Sequence, residues 1–244
     1  MDAIEARRRL GELGLSEADA AALIEHFADC EARGKASHGF SRVEWLANQR
    51  FDADARPKLL AAAPGFERWD GNGALGYLVL HAVVGSQVAA PPDDARVVVV
   101  QRCFPSGALG YWVRRLAECG LVAALTATSP RRLPPPGGGE PLTGTNPLAI
   151  AVPSSDGRPI VADVSMGGVT HGDVLRGEAR PEQLVPFGGE QSHKAFALAV
   201  GLELLVGALA GPEHGAVLVV ARPDADPVPA FRALAASVRL PGDA

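Results

Sequence analysis

Four consecutive valines, Val97 to Val100, stand at the centre of the segment Arg96 to Gln101. An unbroken β-branched run of this kind suits a strand buried on both faces, so other elements must cover the sheet it enters. Gly110 to Gly120 then has helical periodicity, and Leu121 to Thr126 reads as a second buried strand. The resulting β-α-β rhythm places the chain in the α/β class. Upstream, residues 3–34 read as two helices, with Ser16 as an N-cap followed by Glu17 and Asp19 in the first turn. Gly34 ends that region, and Arg42 to Arg50 resumes helical spacing through Val43, Leu46 and Ala47. Residues 52–68 contain prolines and no clear period, which predicts a connecting arm, and Leu75 to Ala89 reads as an apolar helix. Pro134 to Gly139, three prolines then three glycines, is a loop.

Leu148 to Val152 and Pro159 to Val164 read as strands joined by a Ser-Ser-Asp-Gly turn, and residues 166–190 as irregular. Lys194 to Leu209 is an apolar helix stopped by Gly211, Ala216 to Val220 a last strand, and Pro229 to Arg239 a last helix. No repeat is visible. The expected organisation is an N-terminal helical region over 1–50 and one compact α/β unit over 51–244.

With 244 residues the chain suffices for one large domain or two small ones sharing a core. Its net charge of -5 argues against a general nucleic-acid binder, which needs a basic surface to displace counterions. Cys30, Cys103 and Cys119 are odd in number and lack metal-ligand spacing, so no metal is expected and a reduced compartment is. No basic-then-apolar leader opens the chain, and no apolar stretch reads as approaching the roughly 20 residues of a membrane helix. A cytoplasmic protein without membrane or nucleic-acid partners is the expectation.

Gly71-Asn-Gly73-Ala-Leu-Gly76 matches G-x-G-x-x-G, with Asp93 and Asp94 near the offset of a ribose-binding carboxylate. The preceding Gly65 to Asp70 makes no convincing buried strand. We read the motif as a glycine turn capping a helix, not as a Rossmann fingerprint.

Four separated segments carry a more specific pattern. They are Lys35-Ala-Ser37-His38-Gly39-Phe-Ser-Arg42; Gly107-Ala-Leu-Gly110-Tyr111 with Gly120-Leu-Val and Thr126-Ala-Thr128-Ser129-Pro130; Gly144-Thr145-Asn146-Pro147 with Pro153 and Asp163; and His193-Lys194-Ala-Phe-Ala-Leu-Ala, leading to Gly211. Leu240-Pro241-Gly242 lies near the end of the sequence. In this order they resemble the malate/L-lactate dehydrogenase-like family, which includes sulfolactate and ureidoglycolate enzymes and cyclic-imine carboxylate reductases. The resemblance implies a mixed, non-Rossmann sheet with N-terminal helices, NADPH or NADH as cofactor, a small carboxylate substrate and a homodimer. It also implies Ser37, His38 and Asp163 as a proton relay, Thr128 and Asn146 near substrate, and His193, Lys194, Thr145 and Ser165 near cofactor.

The residues themselves support several of these roles. Reduction of a carbonyl or imine needs a proton for the developing anion or amine, and His38 has an ordinary pKa close to neutral. Arg42, four residues later, faces the same way if the segment turns helically, and a guanidinium clamps a carboxylate bidentately. The alternative is an exposed helix arginine. Thr145 and Asn146 lie in a turn that could hold a cofactor or merely be stabilised by Asn before Pro. Lys194 opposes the dipole at a helix N-terminus, which an anionic cofactor group would explain.

Three departures qualify the resemblance. Segments between Ser165 and Pro186 and after Gly211 read as shortened. Pro105 stands where the family usually has a second histidine, and proline transfers no proton. Ala195 and Ala197 replace glycines of the fourth motif. These favour imine or keto-acid reduction by Ser37, His38 and Asp163. They leave open a non-redox enzyme (isomerase, cyclase or hydrolase) or a non-catalytic subunit on the same fold.

Overall fold

A computed structural model describes residues 1–243. Helix α1 spans Ala3–Glu12 and α2 Glu17–Ala32. Ser16 caps α2 as expected, its hydroxyl accepting the Asp19 N–H at 3.2 Å. After Gly34 the chain turns once through Ala36–His38 and enters α3, Arg42–Leu46.

The region read as a connecting arm is instead a hairpin of β1, Lys58–Ala63, and β2, Phe66–Asp70. The prediction failed because β1 is exposed at every position and forms one edge of the sheet. With neither face buried, the strand has no hydrophobic alternation to read. The other strands are β3 (Ala95–Gln101), β4 (Val122–Ala127), β5 (Leu148–Val152), β6 (Ile160–Val164) and β7 (Ala216–Ala221). They form one mixed seven-stranded sheet in the order β1-β2-β3-β7-β4-β5-β6. Helix α5, Leu109–Glu118, connects β3 to β4 as the rhythm predicted. The two strands are not neighbours, because β7 inserts between them, antiparallel to both.

One face of the sheet carries α5 and α4, Gly76–Ala89, with α2 packed outside them. Val98, Val100, Leu125 and Leu218 meet Leu80, Val83, Trp112 and Leu116 in a core that also takes in Ala6, Leu10, Leu23 and Phe27. Each fully buried Val, Leu or Phe among them stabilises the fold by about 1.5–3 kcal/mol. The other face carries α7, Ser192–Ala210, through a narrow stripe that includes Ala199, Val206 and Ala210. It covers Val99 and Val217 but leaves Val97 and Val219 exposed, so the valine run is covered only in part. The segment 166–190 is more regular than expected. It contains α6, His171–Leu175, opened by a capping box between Thr170 and Asp173. The last helix, α8, runs only over Val228–Leu234.

Two further readings are corrected. Gly189–Ala210 is a 22-residue helical stretch long and apolar enough to cross a membrane by length and composition, contrary to the expectation. It is apolar all round, with one stripe on the sheet and the opposite one open. And β2 does precede Gly71-Asn-Gly73-Ala-Leu-Gly76, pairing in parallel with β3 across α4. The glycine turn still opens the helix, but the place a phosphate would need is filled. A Cβ on Gly71 would collide with the Arg102 carbonyl, one on Gly76 would lie 2.6 Å from the Pro105 carbonyl, and the Gly76 N–H donates to Phe104 at 3.2 Å. These glycines admit the chain's own backbone.

Candidate active site

A cavity of about 280 Å³ opens beside the N-terminus of α5. Its wall combines the turn Lys35 to His38 with Arg42 and Trp45 of α3, the loop Phe104 to Ala108, and Arg132 from the β4–β5 connection. Thr145, Pro147, Asp163, Ser165, Thr170 and His171 complete it. The floor is held from below by His26, whose Nε2 accepts the Ala108 N–H at 3.2 Å. A Cβ on Gly107 would lie 2.6 Å from that nitrogen, so only glycine lets the loop settle on the ring. His26 is fully buried among Phe27, Tyr77, Tyr111 and Trp112, and burial holds its pKa well below the ordinary value.

Ser37 Oγ lies 3.3 Å from His38 Nδ1. Burial, then the Arg42 guanidinium, pushes His38 down to about 4, against the opposing pull of Asp163 and Asp173. Arg42 is only 8% exposed, lies 5.3 Å over the Trp45 ring, and has no hydrogen-bond partner for its buried Nε. Arg132 also faces the cavity, and burial, then Arg42, lowers its pKa. Burial, then Arg132 and Arg42, pushes His171 down to about 4. Gly172 makes this packing possible, since a Cβ there would come within 2.6 Å of Arg42 Nη2. Beside it, burial raises the Asp173 carboxyl, but hydrogen bonds from Thr170 and the nearby Ser37 hydroxyl outweigh that and lower it.

Asp163 reaches the cavity over Gly110, where a Cβ would stand 2.8 Å from its Oδ2. Its partner is Lys35, at 2.6 Å, and no hydrogen bond joins it to His38 among the described residues. Ser37, His38, Arg42, Asp163, Thr145 and Ser165 thus share one cavity, without the linear Ser-His-Asp relay expected from sequence.

Thr128 and Asn146, expected near substrate, are not on its wall. The Thr128 hydroxyl accepts the buried Gly215 N–H at 3.0 Å and fastens the start of β7. Asn146 Nδ2 donates to the Ala199 carbonyl at 3.1 Å and to Glu203 at 2.6 Å, tying its turn to α7. The Thr128 hydroxyl and the Asn146 Nδ2 are satisfied inside the fold, while the buried Asn146 Oδ1 has no hydrogen-bond partner. His193 and Lys194 lie apart from the cavity, exposed on the first turn of α7. Next to that turn is a second cavity, lined by Pro135 to Gly138, Gly168, Val185 to Gly189, and Ser192. The chain from Ser165 to Gly168 links the two cavities.

Sequence reasoning missed Lys35, Arg132 and His171 as site residues. Lys35 had a signal, being one of three lysines and adjacent to the Ser-His-Gly turn. Arg132 and His171 lie in a loop and a supposedly irregular segment, where no periodicity aims a side chain.

A profile for malate/L-lactate dehydrogenase matches residues 5–184. A Δ1-pyrroline-2-carboxylate/Δ1-piperideine-2-carboxylate reductase of Pseudomonas putida is 33% identical over 228 residues, 81% of this chain and 66% of the relative. A (2R)-3-sulfolactate dehydrogenase (NADP+) of Chromohalobacter salexigens is 32% identical over 229 residues, covering 82% and 66%. The chain thus spans 66% of the length of these two curated relatives. Among solved structures, the Δ1-piperideine-2-carboxylate reductase of Pseudomonas syringae superposes with a TM-score of 0.84 at 27% identity, over 99% of this chain and 89% of that one.

Proposed function

Because this chain belongs to the malate/L-lactate dehydrogenase family, we propose that it is an NAD(P)H-dependent oxidoreductase reducing the C=N or C=O bond of a small carboxylate, a cyclic imine or 2-keto acid. The observation that carries this reading is Arg42, a buried guanidinium with an unpartnered Nε on the same cavity wall as the Ser37–His38 pair. Such a group is costly unless an anion meets it, and a substrate carboxylate supplies one.

The second cavity has the features that a nicotinamide dinucleotide needs. Its walls are largely glycine and proline, and the helical stretch Gly189–Ala210, which has no side-chain cap at Ser192, begins beside it. These features fit a phosphate held beside the glycine-rich wall by Lys194 and His193, with Thr145 and Ser165 toward the nicotinamide end. The bound cofactor supplies a hydride. Arg42 binds the substrate carboxylate, and its neutralisation removes one of the causes that hold His38 near 4. The imidazole then moves back toward its ordinary pKa. With Ser37 at Nδ1, Nε2 is the atom that holds the proton for the developing alkoxide or amine. Lys35 meanwhile neutralises Asp163 and keeps that carboxylate from repelling the substrate's own.

The reading extends to a cytoplasmic homodimer. Three unpaired cysteines are consistent with a reduced compartment, and the open stripe of α7 offers apolar surface to a second copy. Titration of the purified chain with NADH and NADPH tests the function. Saturable micromolar binding is expected, weakened about tenfold by Lys194→Ala. No binding of either nucleotide would refute the redox reading.

A further inference from the structure

Of the chain's three lysines, the one on the cavity wall is Lys35. It stands between the end of α2 and the Ser37–His38 turn, and its own N–H donates to the Cys30 carbonyl at 2.8 Å, which fastens its backbone to the helix. The side chain crosses to the sheet, where Nζ donates to Asp163 Oδ2 of β6 at 2.6 Å. Asp163 is the better buried partner, with its side chain 12% exposed against 39% for Lys35. It occupies the place that a Cβ on Gly110 of α5 would take, at 2.8 Å from Oδ2. A carboxylate so enclosed needs a partner. Two cavity groups are at hand to serve, the Lys35 ammonium and the His38 imidazole, and the structure gives it the first.

The choice bears on His38. Burial, then Arg42 of α3, does most to lower its proton affinity; Asp163 opposes them, Lys35 adds to them, and Asp173 of α6 opposes them again. His26 of α2 is also near enough to feel its charge, and Arg132 and His171 face the same cavity. We propose that Lys35 is a positioning residue: its ammonium holds the Asp163 carboxylate away from His38, and so reserves the imidazole's proton for the moment when substrate meets Arg42. The inference rests on reading this cavity as the substrate site. An imidazole beside a free carboxylate takes up its proton before substrate arrives. It then holds that proton more tightly and yields it less readily to a developing alkoxide or amine.

The test is a proton NMR titration of His38 in the full chain, its C2–H signal identified by its loss in His38→Gln. Lys35→Met should raise the proton affinity of His38 about tenfold, because it removes a repelling charge and frees an attracting one. Lys35→Arg, which keeps the cation, should leave the titration near that of the wild type. Adding Asp163→Asn to Lys35→Met should reverse the gain, which a mere loss of packing would not do. A His38 titration unmoved by Lys35→Met, or a gain that persists in the double variant, would overturn the proposal. Turnover of pyruvate or Δ1-pyrroline-2-carboxylate with NADPH separates it from the function beneath it. The pH above which kcat/KM falls is expected to rise with the His38 signal in Lys35→Met. A fall that stays in place in an active enzyme overturns the proposal and leaves a reductase. A His38 signal that moves in a chain reducing neither substrate keeps the positioning role and removes the reductase.

Discussion

At the scale of single residues, the site is a set of groups held away from their ordinary protonation. His38 and His171 both lie near 4 in the fold, against about 6.5 in an unfolded chain, and His26 lies well below its ordinary value. The sign of the linkage follows. Between those values the unfolded chain binds protons that the folded chain refuses, so stability is complete above about pH 6.5 and declines as pH falls toward 4. Melting temperature measured from pH 8 to pH 4 should drop in that window, before most carboxylates titrate. His171→Gln should flatten part of the decline, and a melting temperature unchanged between pH 7 and pH 5 would refute this account. Ser37, His38 and Arg42 were legible in sequence because the turn and the four-residue spacing keep them together. Thr128 and Asn146 lie off the cavity wall, which their motifs did not reveal, because a motif shows which residues recur and not where they face. Here a hydroxyl and an amide complete hydrogen bonds of the fold, to Gly215 and to α7.

At the scale of elements, strength of pattern decided what could be read. The helices α2, α4, α5 and α7 and the strands β3, β4 and β7 have a buried stripe or run, and their apolar spacing announces them. β1 has no buried position and went unread, and with it went β2, the strand that gives the glycine turn its Rossmann-like setting. Only packing separates the two uses of such a turn. In a dinucleotide fingerprint the glycines make room for pyrophosphate at a helix N-terminus. Here they make room for Arg102 to Pro105, the segment that goes on to line the cavity beside α5. Gly71→Ala should therefore act through that segment, destabilising the fold by about 3 kcal/mol as overpacking against rigid backbone does. Denaturant unfolding gives the cost, and nucleotide titration of the folded fraction should show unchanged affinity. A stable variant that had lost nucleotide binding would return the turn to a cofactor role.

At the scale of the whole molecule, the unfinished surface is the face of the sheet under α7. One stripe of the helix packs on Val99 and Val217, but Leu198, Leu204, Leu205 and Leu209 point outward, with Leu204 66% exposed. Val97, Val219 and Ile150 of the sheet are open as well. A helix apolar on every side belongs inside something. Length alone would allow a membrane, but Ala199, Val206 and Ala210 pack on the sheet and its neighbouring loops, and Glu203 bonds Asn146 within the fold, so the helix is already an integral part of an α/β domain. A second copy of the chain meets the remaining surface with like chemistry, and an isologous contact requires one self-complementary patch and no other partner. Sedimentation at micromolar concentration should then give twice 25.3 kDa. Leu204→Glu with Leu205→Glu should give the single-chain mass without unfolding, because neither side chain is buried against its own domain. A wild-type chain that sediments as a monomer would refute the homodimer. A double variant that remains dimeric would move the interface to the exposed edge at β1, whose unpaired backbone groups could extend the sheet into a neighbour.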